Sequence, residues 1–123
     1  MANKVDIRAD VAKNRLYLVL GGFFADAEMV PIVDKCIAEA KKLKPGFDVI
    51  NDISEFKPAT PKGADEIKRA QIFVKENGVR KVIRVVGEAV LTQAQFDRQG
   101  KSAGYAADTA STVAEAEKIL DGK

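Results

Sequence analysis

Two hydrophobic periods follow one another along this chain and limit the folds that it can adopt. Apolar and charged side chains alternate from Val5 to Val11, and the alternation resumes with Leu16, Leu18 and Leu20 after a short polar turn. Period two on both sides of a turn predicts a β-hairpin with one buried face. From Asp26 to Leu43 apolar residues recur every three or four positions instead, which predicts an amphipathic helix.

The rest of the chain alternates strand and helix patterns. β-branched runs at Phe47–Ile53 and Val79–Val86 predict buried strands. The helix between them is expected to begin with Thr60 as N-cap and Pro61 as its first residue, because the residue before proline favours the extended backbone of an N-cap. Three further patterns complete the chain: a weak helix at Val90–Gln99, a short strand at Tyr105–Thr109, and a closing helix after Ser111 or Thr112.

The element order β-β-α-β-α-β-α-β-α predicts an α/β fold. Crossovers that contain a helix make the later strands parallel, whereas the opening hairpin is antiparallel, so the sheet is expected to be mixed and covered by helices. With 123 residues and no linker or repeat, we expect a single domain over residues 1–123.

Composition excludes several classes of function. The chain has no histidine, which removes the most common general base and the usual zinc ligand, so we predict neither a metal site nor a cofactor. A net charge of +2 is too small to predict binding to nucleic acid. No apolar run approaches the roughly 18 residues of a membrane span. A single cysteine and the lack of an apolar leader give a cytoplasmic location as the expectation.

Short motifs along the chain are similar to those of a known family. The strand end Asp52-Ile53-Ser54, the helix after it and the segment Val82–Gly87, together with the opening hairpin, resemble a STAS domain, named after sulfate transporters and anti-sigma factor antagonists. The chain resembles stand-alone bacterial STAS-like proteins more closely, over about its whole length. The resemblance implies a STAS-like α/β sandwich that acts as a non-enzymatic switch by binding a protein partner, such as a regulator or a kinase.

The family signature implies a phosphorylation site at the start of the second helix. It runs from Asp-Leu-Ser to Ser-Ser-Gly or Ser-Thr-Gly, and here Gly63 falls on its glycine. The two hydroxyl positions are Pro61 and Lys62, which cannot accept a phosphoryl group as serine does. Thr60, one residue upstream, is the remaining candidate phosphoacceptor. Similarity of some relatives to lipid-carrier domains also implies a small apolar ligand.

The segment from Lys57 to Asp65 gives the sharpest binding hypothesis. It follows the C-terminal end of a strand, where open α/β sheets place ligands, and the free N–H groups of a helix start attract anions. A capped helix with solvated lysines is the competing interpretation. We predict a site for a protein partner or for a small apolar or anionic ligand at Phe23, Asp52, Ser54, Phe56, Lys57, Thr60, Lys62 and Gly63.

An enzyme that acts on a small molecule is the alternative, with Asp52 and Lys62 as its polar pair. No second carboxylate or histidine is placed to complete a mechanism, and a carboxylate that caps a loop also explains Asp52. Cys36 falls on the apolar stripe of the first helix, where burial raises the pKa of a thiol, so we predict a core residue rather than a nucleophile. The oligomeric state stays open, a homodimer included.

Overall fold

The computed structural model describes residues 3–57, 59–86, 98, 101 and 107–122. Over these residues five strands form one sheet in the order β1-β2-β3-β4-β5, which confirms the predicted α/β class. The strands are β1 (Lys4–Asp10), β2 (Arg15–Gly22), β3 (Asp48–Phe56), β4 (Lys81–Val85) and β5 (Asp108–Ala110). The helices are α1 (Asp26–Ala40), α2 (Pro61–Glu76) and α3 (Val113–Asp121).

The sheet is mixed, as the alternation of patterns predicts. β1 and β2 form an antiparallel hairpin, and β2, β3, β4 and β5 run parallel to one another. Asn14 closes the hairpin turn with φ at 53°, a left-handed conformation that asparagine tolerates. Its side chain also donates to the Lys44 carbonyl and accepts from the Lys44 N–H, which ties the turn to the segment after α1.

Helices cover both faces of the sheet. Because side chains alternate between faces along a strand, Leu16, Val49 and Val82 lie in the core beneath α1 and α2. Their neighbours Tyr17, Ile50 and Ile83 lie in the core beneath α3. The Tyr17 hydroxyl donates to Glu117 of α3 at 2.6 Å, and burial together with this acceptor raises the pKa of the phenol.

The first two helices lie side by side and begin at the same end of the sheet. Arg69 of α2 donates to Glu66 on its own helix at 2.6 Å and to Asp34 of α1 at 2.9 Å. The hydrogen bond to Glu66, followed by the one to Asp34, raises the pKa of the guanidinium against the opposing effect of desolvation. The contact between Arg69 and Asp34 links α1 to α2 midway along both helices.

A carboxylate on α1 attaches that helix to the edge strand β1. Glu39 accepts the backbone N–H of Ala9 at 3.0 Å and the ammonium group of Lys42 at 2.7 Å. The Lys42 hydrogen bond, and then the Ala9 N–H, hold the pKa of Glu39 below its usual value. One N–H of the outermost strand is thereby paired with α1.

Several element boundaries differ from the sequence-based ones. β3 continues to Phe56, so the loop expected at residues 54–59 begins only at Lys57. The extension pairs Glu55 and Phe56 with Gly21 and Gly22 after a register shift, a long-range pairing that local propensity does not reveal. The last strand is Asp108–Ala110. The helix expected at Val90–Gln99 lies outside the described residues except for Arg98, which is helical and exposed.

Candidate functional site

The first region of interest is the edge of the sheet at which β2 and β3 end and α1 and α2 begin, termed the strand edge. Thr60 is the N-cap of α2 and Pro61 its first residue, as predicted. The Thr60 hydroxyl accepts the N–H of Gly63 at 3.0 Å and donates to the carboxylate of Asp26, the first residue of α1. This hydroxyl therefore accepts a hydrogen bond from α2 and donates one to α1.

Gly63 allows close packing of the two helices at this edge. A Cβ atom at Gly63 would lie 3.1 Å from Thr60 Oγ1, 3.2 Å from Ala59 Cβ and 3.4 Å from Met29 Cγ of α1. A side chain here would push against the cap and against α1. The small size of Gly63 therefore serves the approach of α1 and α2, and the residue is buried.

Asp52 and Lys62, the polar pair of the enzyme alternative, lie on different layers. Asp52 is in phase with Ile50 and so lies on the α3 face of the sheet, where its carboxylate accepts the Ser54 N–H at 3.0 Å and the Ser54 hydroxyl at 2.7 Å. Lys62 is exposed in the first turn of α2. Among the described residues these two side chains share no hydrogen bond or ion pair. Asp52 caps its own strand end.

The aromatic residues of the strand edge do not form one surface. Phe56 is buried and its ring packs against Phe24 with the centroids 5.6 Å apart. Phe23 points the other way and is 49% exposed. Phe23 and the exposed Lys57 line an open groove of about 900 Å³, together with Asn3, Lys4, Gly21, Gly22 and Glu55.

A second region, the helix–sheet cavity, lies between the sheet and the layer formed by α1 and α2. Its volume is about 50 Å³, and ten of its twelve lining side chains are aliphatic or sulfur-containing while two are amides. The partial exposure of Leu18, Ile32 and Ala70 shows that it is not sealed from solvent. The lining residues are Ile7, Leu18, Leu20 and Asn51 of the sheet, Met29, Ile32, Val33 and Cys36 of α1, and Ile67, Ala70, Gln71 and Val74 of α2.

Asn51 contributes a polar side chain to the wall of this cavity. The residue is 8% exposed, and its Oδ1 atom is buried with no hydrogen-bond partner within the described part of the chain. A buried acceptor left in this state costs about 1–3 kcal/mol, so it is a feature that a folded protein rarely carries without compensation. Gln71 of α2 brings a second amide to the same cavity.

These two amides are absent from the sequence-based site, although the sequence contains a signal for each. Asn51 interrupts an apolar phase that runs Val49, Asn51, Ile53 along β3, and Gln71 lies four residues after Ile67 on the buried stripe of α2. A polar residue in an apolar phase marks either a buried hydrogen-bond network or a cavity. The sequence pattern identifies Asn51 and Gln71 as unusual, and the packing shows that both side chains line the helix–sheet cavity.

Cys36 lies on the cavity wall and is buried, as predicted. Burial raises the pKa of its thiol to about 12, with a smaller opposing effect from the Arg69 guanidinium. A thiol with this pKa is uncharged at neutral pH and is a poor nucleophile. All twelve lining side chains are therefore neutral.

None of the helices in the described ranges combines the length and apolar character that crossing a membrane requires. Within the same ranges no three Cys, Asp or Glu side chains group so that they could bind a metal ion. No model of a known protein family matches the chain, and no curated protein matches it either.

Proposed function

We propose that this protein is a non-catalytic, STAS-like binding domain whose helix–sheet cavity takes up a small, neutral, largely apolar ligand. The observation that carries the proposal is the buried Oδ1 of Asn51, which lines an apolar cavity without a hydrogen-bond partner among the described residues. A ligand that donates one hydrogen bond would satisfy this acceptor and bury its apolar part against the walls. The STAS-like assignment itself rests on the motifs at Asp52–Ser54 and Val82–Gly87.

The chemistry of the walls supports binding of a neutral group. Transfer of a charged group into surroundings of uncharged, mostly aliphatic side chains is costly unless a partner compensates its charge. The lining offers amides at Asn51 and Gln71, and the Cys36 thiol is protonated at neutral pH. An alcohol, an amide or a protonated acid matches these walls better than a carboxylate or an ammonium ion.

The same walls favour binding over catalysis. Amide side chains do not titrate near neutral pH, and the Cys36 thiol, with its pKa raised to about 12, is a weak candidate for proton transfer or nucleophilic attack. Asp52, the carboxylate of the enzyme alternative, lies on the opposite face of the sheet and is bonded to Ser54. These observations support a binding role. A cytoplasmic location and the absence of a cofactor stay predictions.

Titration with 1-butanol tests the proposal, because this probe combines one donor with a short apolar chain. We expect millimolar 1-butanol to shift the NMR signals of the Ile67 and Val33 methyl groups, which line the cavity, and to leave those of Ile83 beneath α3 unchanged. Ala70→Leu adds three carbons at a lining position and should abolish the shifts. Ala38→Leu adds the same three carbons on the exposed side of α1 and serves as the matched control.

Two outcomes would refute the proposal. Unchanged methyl signals in the wild-type protein would show that the cavity does not admit a small alcohol. Equal shifts in Ala70→Leu and Ala38→Leu would show that the alcohol binds elsewhere.

Phosphorylation of Thr60 stays a prediction with a physical obstacle. The hydroxyl already donates to Asp26 and accepts from Gly63, so a phosphoryl group would remove the first hydrogen bond and place its charge beside the Asp26 carboxylate. Like charges at this distance repel. The link between α1 and α2 at the strand edge therefore disfavours the modified state.

Protein binding at the open groove is a second candidate, favoured by the exposure of Phe23. A half-exposed phenylalanine beside Lys57 and Glu55 combines apolar and charged groups in the manner of a protein interface. If the partner is a second copy, sedimentation velocity should detect a dimer, and Phe23→Ser should weaken it. Val11→Ser, which changes an exposed residue of the hairpin turn, should leave the dimer unchanged. Identical masses for the wild type and Phe23→Ser at all concentrations would exclude self-association through the groove.

A further inference from the structure

The sheet residues on one wall of the helix–sheet cavity include a row that crosses three strands. Ile7 pairs with Leu18, and Leu18 pairs with Asn51, so these three residues form one row across β1, β2 and β3. Adjacent strands lie about 4.8 Å apart, so the row extends over about 10 Å. Within the cavity this row is apolar beneath α1 and reaches the Asn51 amide, with Gln71 of α2 lining the same cavity. Beyond Asn51 the register continues to the buried Arg84 of β4. A molecule that lies along the row within the cavity therefore meets polar side chains only at its Asn51 end.

The apolar end of this row continues onto exposed surface. Val5 lies two residues before Ile7 on β1, so its side chain is on the same face of the sheet, yet it is 48% exposed. Ile32 of α1 is partly exposed, and Glu39, seven residues further along the helix, reaches the β1 backbone, so this side of α1 faces β1. Val5 and Ile32 therefore border the apolar end of the cavity, towards the β1 edge.

The cavity is too small for a ring. A cavity of about 150 Å³ is known to admit benzene, whereas the volume here is about 50 Å³. The end of a linear chain needs less width, and the rest of such a chain does not need to be enclosed, because Val5 and Ile32 provide apolar surface outside. A ring or a branched group would have to separate α1 from the sheet, against the Glu39–Ala9 hydrogen bond.

We infer that the ligand is a linear aliphatic chain with a neutral O–H donor at one end, bound with this end at Asn51 and with its tail directed over Ile7 towards Val5 and Ile32. The inference rests on the proposed function and specifies the chemical class of its ligand. Primary alcohols and protonated linear acids share this chemistry. The donor satisfies Asn51 Oδ1, and each methylene buried along the row adds about fourfold in affinity.

Three probes with six carbons and one oxygen separate the parts of the inference. 1-Hexanol is linear with a donor, 1-methoxypentane is a linear isomer of it without a donor, and cyclohexanol is a ring with a donor. We expect dissociation constants from NMR titration of the full chain to favour 1-hexanol by at least tenfold over each of the other two. Equal binding of cyclohexanol would overturn the preference for a linear chain, and equal binding of the ether would overturn the role of Asn51.

The outcome for 1-butanol distinguishes this inference from the proposed function. If neither 1-butanol nor 1-hexanol binds, both statements fail. If 1-butanol binds and the six-carbon probes do not differ, the cavity is a ligand site but the inferred chemical class is wrong. All of these measurements use the wild-type protein, so they do not depend on whether a variant folds.

Two exposed valines provide a control for the path of the tail. Val5→Ser should remove the affinity gain of 1-octanol over 1-butanol and leave 1-butanol binding unchanged, because only the longer chain reaches Val5. Val11→Ser, the matched substitution at a valine that is 62% exposed on the hairpin turn, should change neither. Equal chain-length dependence in the wild type and Val5→Ser would overturn the proposed path. In Asn51→Leu we expect weaker binding of 1-hexanol and unchanged binding of 1-methoxypentane.

Discussion

The strand edge and the helix–sheet cavity differ in how their polar groups are used. At the strand edge, the Thr60 hydroxyl bonds to Asp26 and Gly63, and the Asp52 carboxylate bonds to Ser54. In the cavity, the Oδ1 atom of Asn51 is buried and has no partner within the described ranges. Residues that resemble a functional motif here stabilise the fold, whereas the buried acceptor without a described partner lies on an otherwise apolar face of β3. Four measurements test this contrast.

Phe56→Ala should give the largest change if the strand edge is structural. Phe56 is buried against Phe24, so its truncation should lower the free energy of unfolding by about 3–5 kcal/mol. Urea denaturation measures the change. Phe23→Ala is the matched control, and because Phe23 is half-exposed, it should change stability by no more than about 1 kcal/mol. Similar losses for the two variants would contradict the assignment of Phe56 to the core.

Thr60→Val should have the next largest effect. Loss of an N-cap side chain costs about 0.5–2 kcal/mol, and the valine also loses the hydrogen bond to Asp26. Thr112→Val is the natural comparison, because Thr112 caps α3 by accepting the Glu115 N–H at 3.1 Å. Denaturant unfolding should therefore show a larger loss for Thr60→Val. Equal losses would mean that the link between α1 and α2 contributes nothing.

Asn51→Leu should change stability in the opposite direction. Leucine has the same branched arrangement of four side-chain heavy atoms as asparagine and removes a buried acceptor that has no described partner, so we expect the free energy of unfolding to rise by about 1 kcal/mol. Asn77→Leu is a control for the chemical change, since Asn77 donates to the Phe73 carbonyl at 2.8 Å and its replacement should slightly destabilise. A loss of stability in Asn51→Leu would show that Asn51 has a structural role.

The pH dependence of Cys36 alkylation probes the cavity wall without changing stability. With a thiol pKa of about 12, the thiolate fraction rises tenfold per pH unit. The rate of iodoacetamide labelling of the native protein, followed by mass spectrometry, should therefore increase without a plateau between pH 7 and pH 10. The same protein in urea should level off above pH 9, as expected for a free thiol with a pKa near 8.5. A plateau near pH 9 in the native protein would place Cys36 in contact with water.

Local sequence signals predict much of the fold, and long-range pairing explains the errors. Thr60 and Pro61 mark the start of α2 because capping depends on neighbouring residues only. The end of β3 at Phe56 depends on pairing with Gly21 and Gly22, residues about 35 positions away in the sequence. The register shift between Val19 and Gly21 adds one residue on β3, so the alternation of Val49, Asn51 and Ile53 does not predict that Phe56, rather than Glu55, is buried.

The helix–sheet cavity could not be predicted from the sequence for a related reason. It is the space left over when side chains from three strands and two helices pack together, and no local pattern encodes a volume. The sequence does contain the polar interruptions at Asn51 and Gln71. Their importance becomes apparent only when β3 and α2 are brought together over the same void.

The contact between Glu39 and the Ala9 N–H occupies one position at which β1 could pair with a strand of another molecule. An outermost strand can recruit a strand of another molecule through its free N–H groups, and here α1 occupies one of them. Because the folded protein lowers the pKa of Glu39, the stabilisation from this contact is present above the unfolded value of about 4.3 and is lost only as pH falls through the lower folded value. Mild acid therefore leaves this contact at full strength, and only strong acid weakens it.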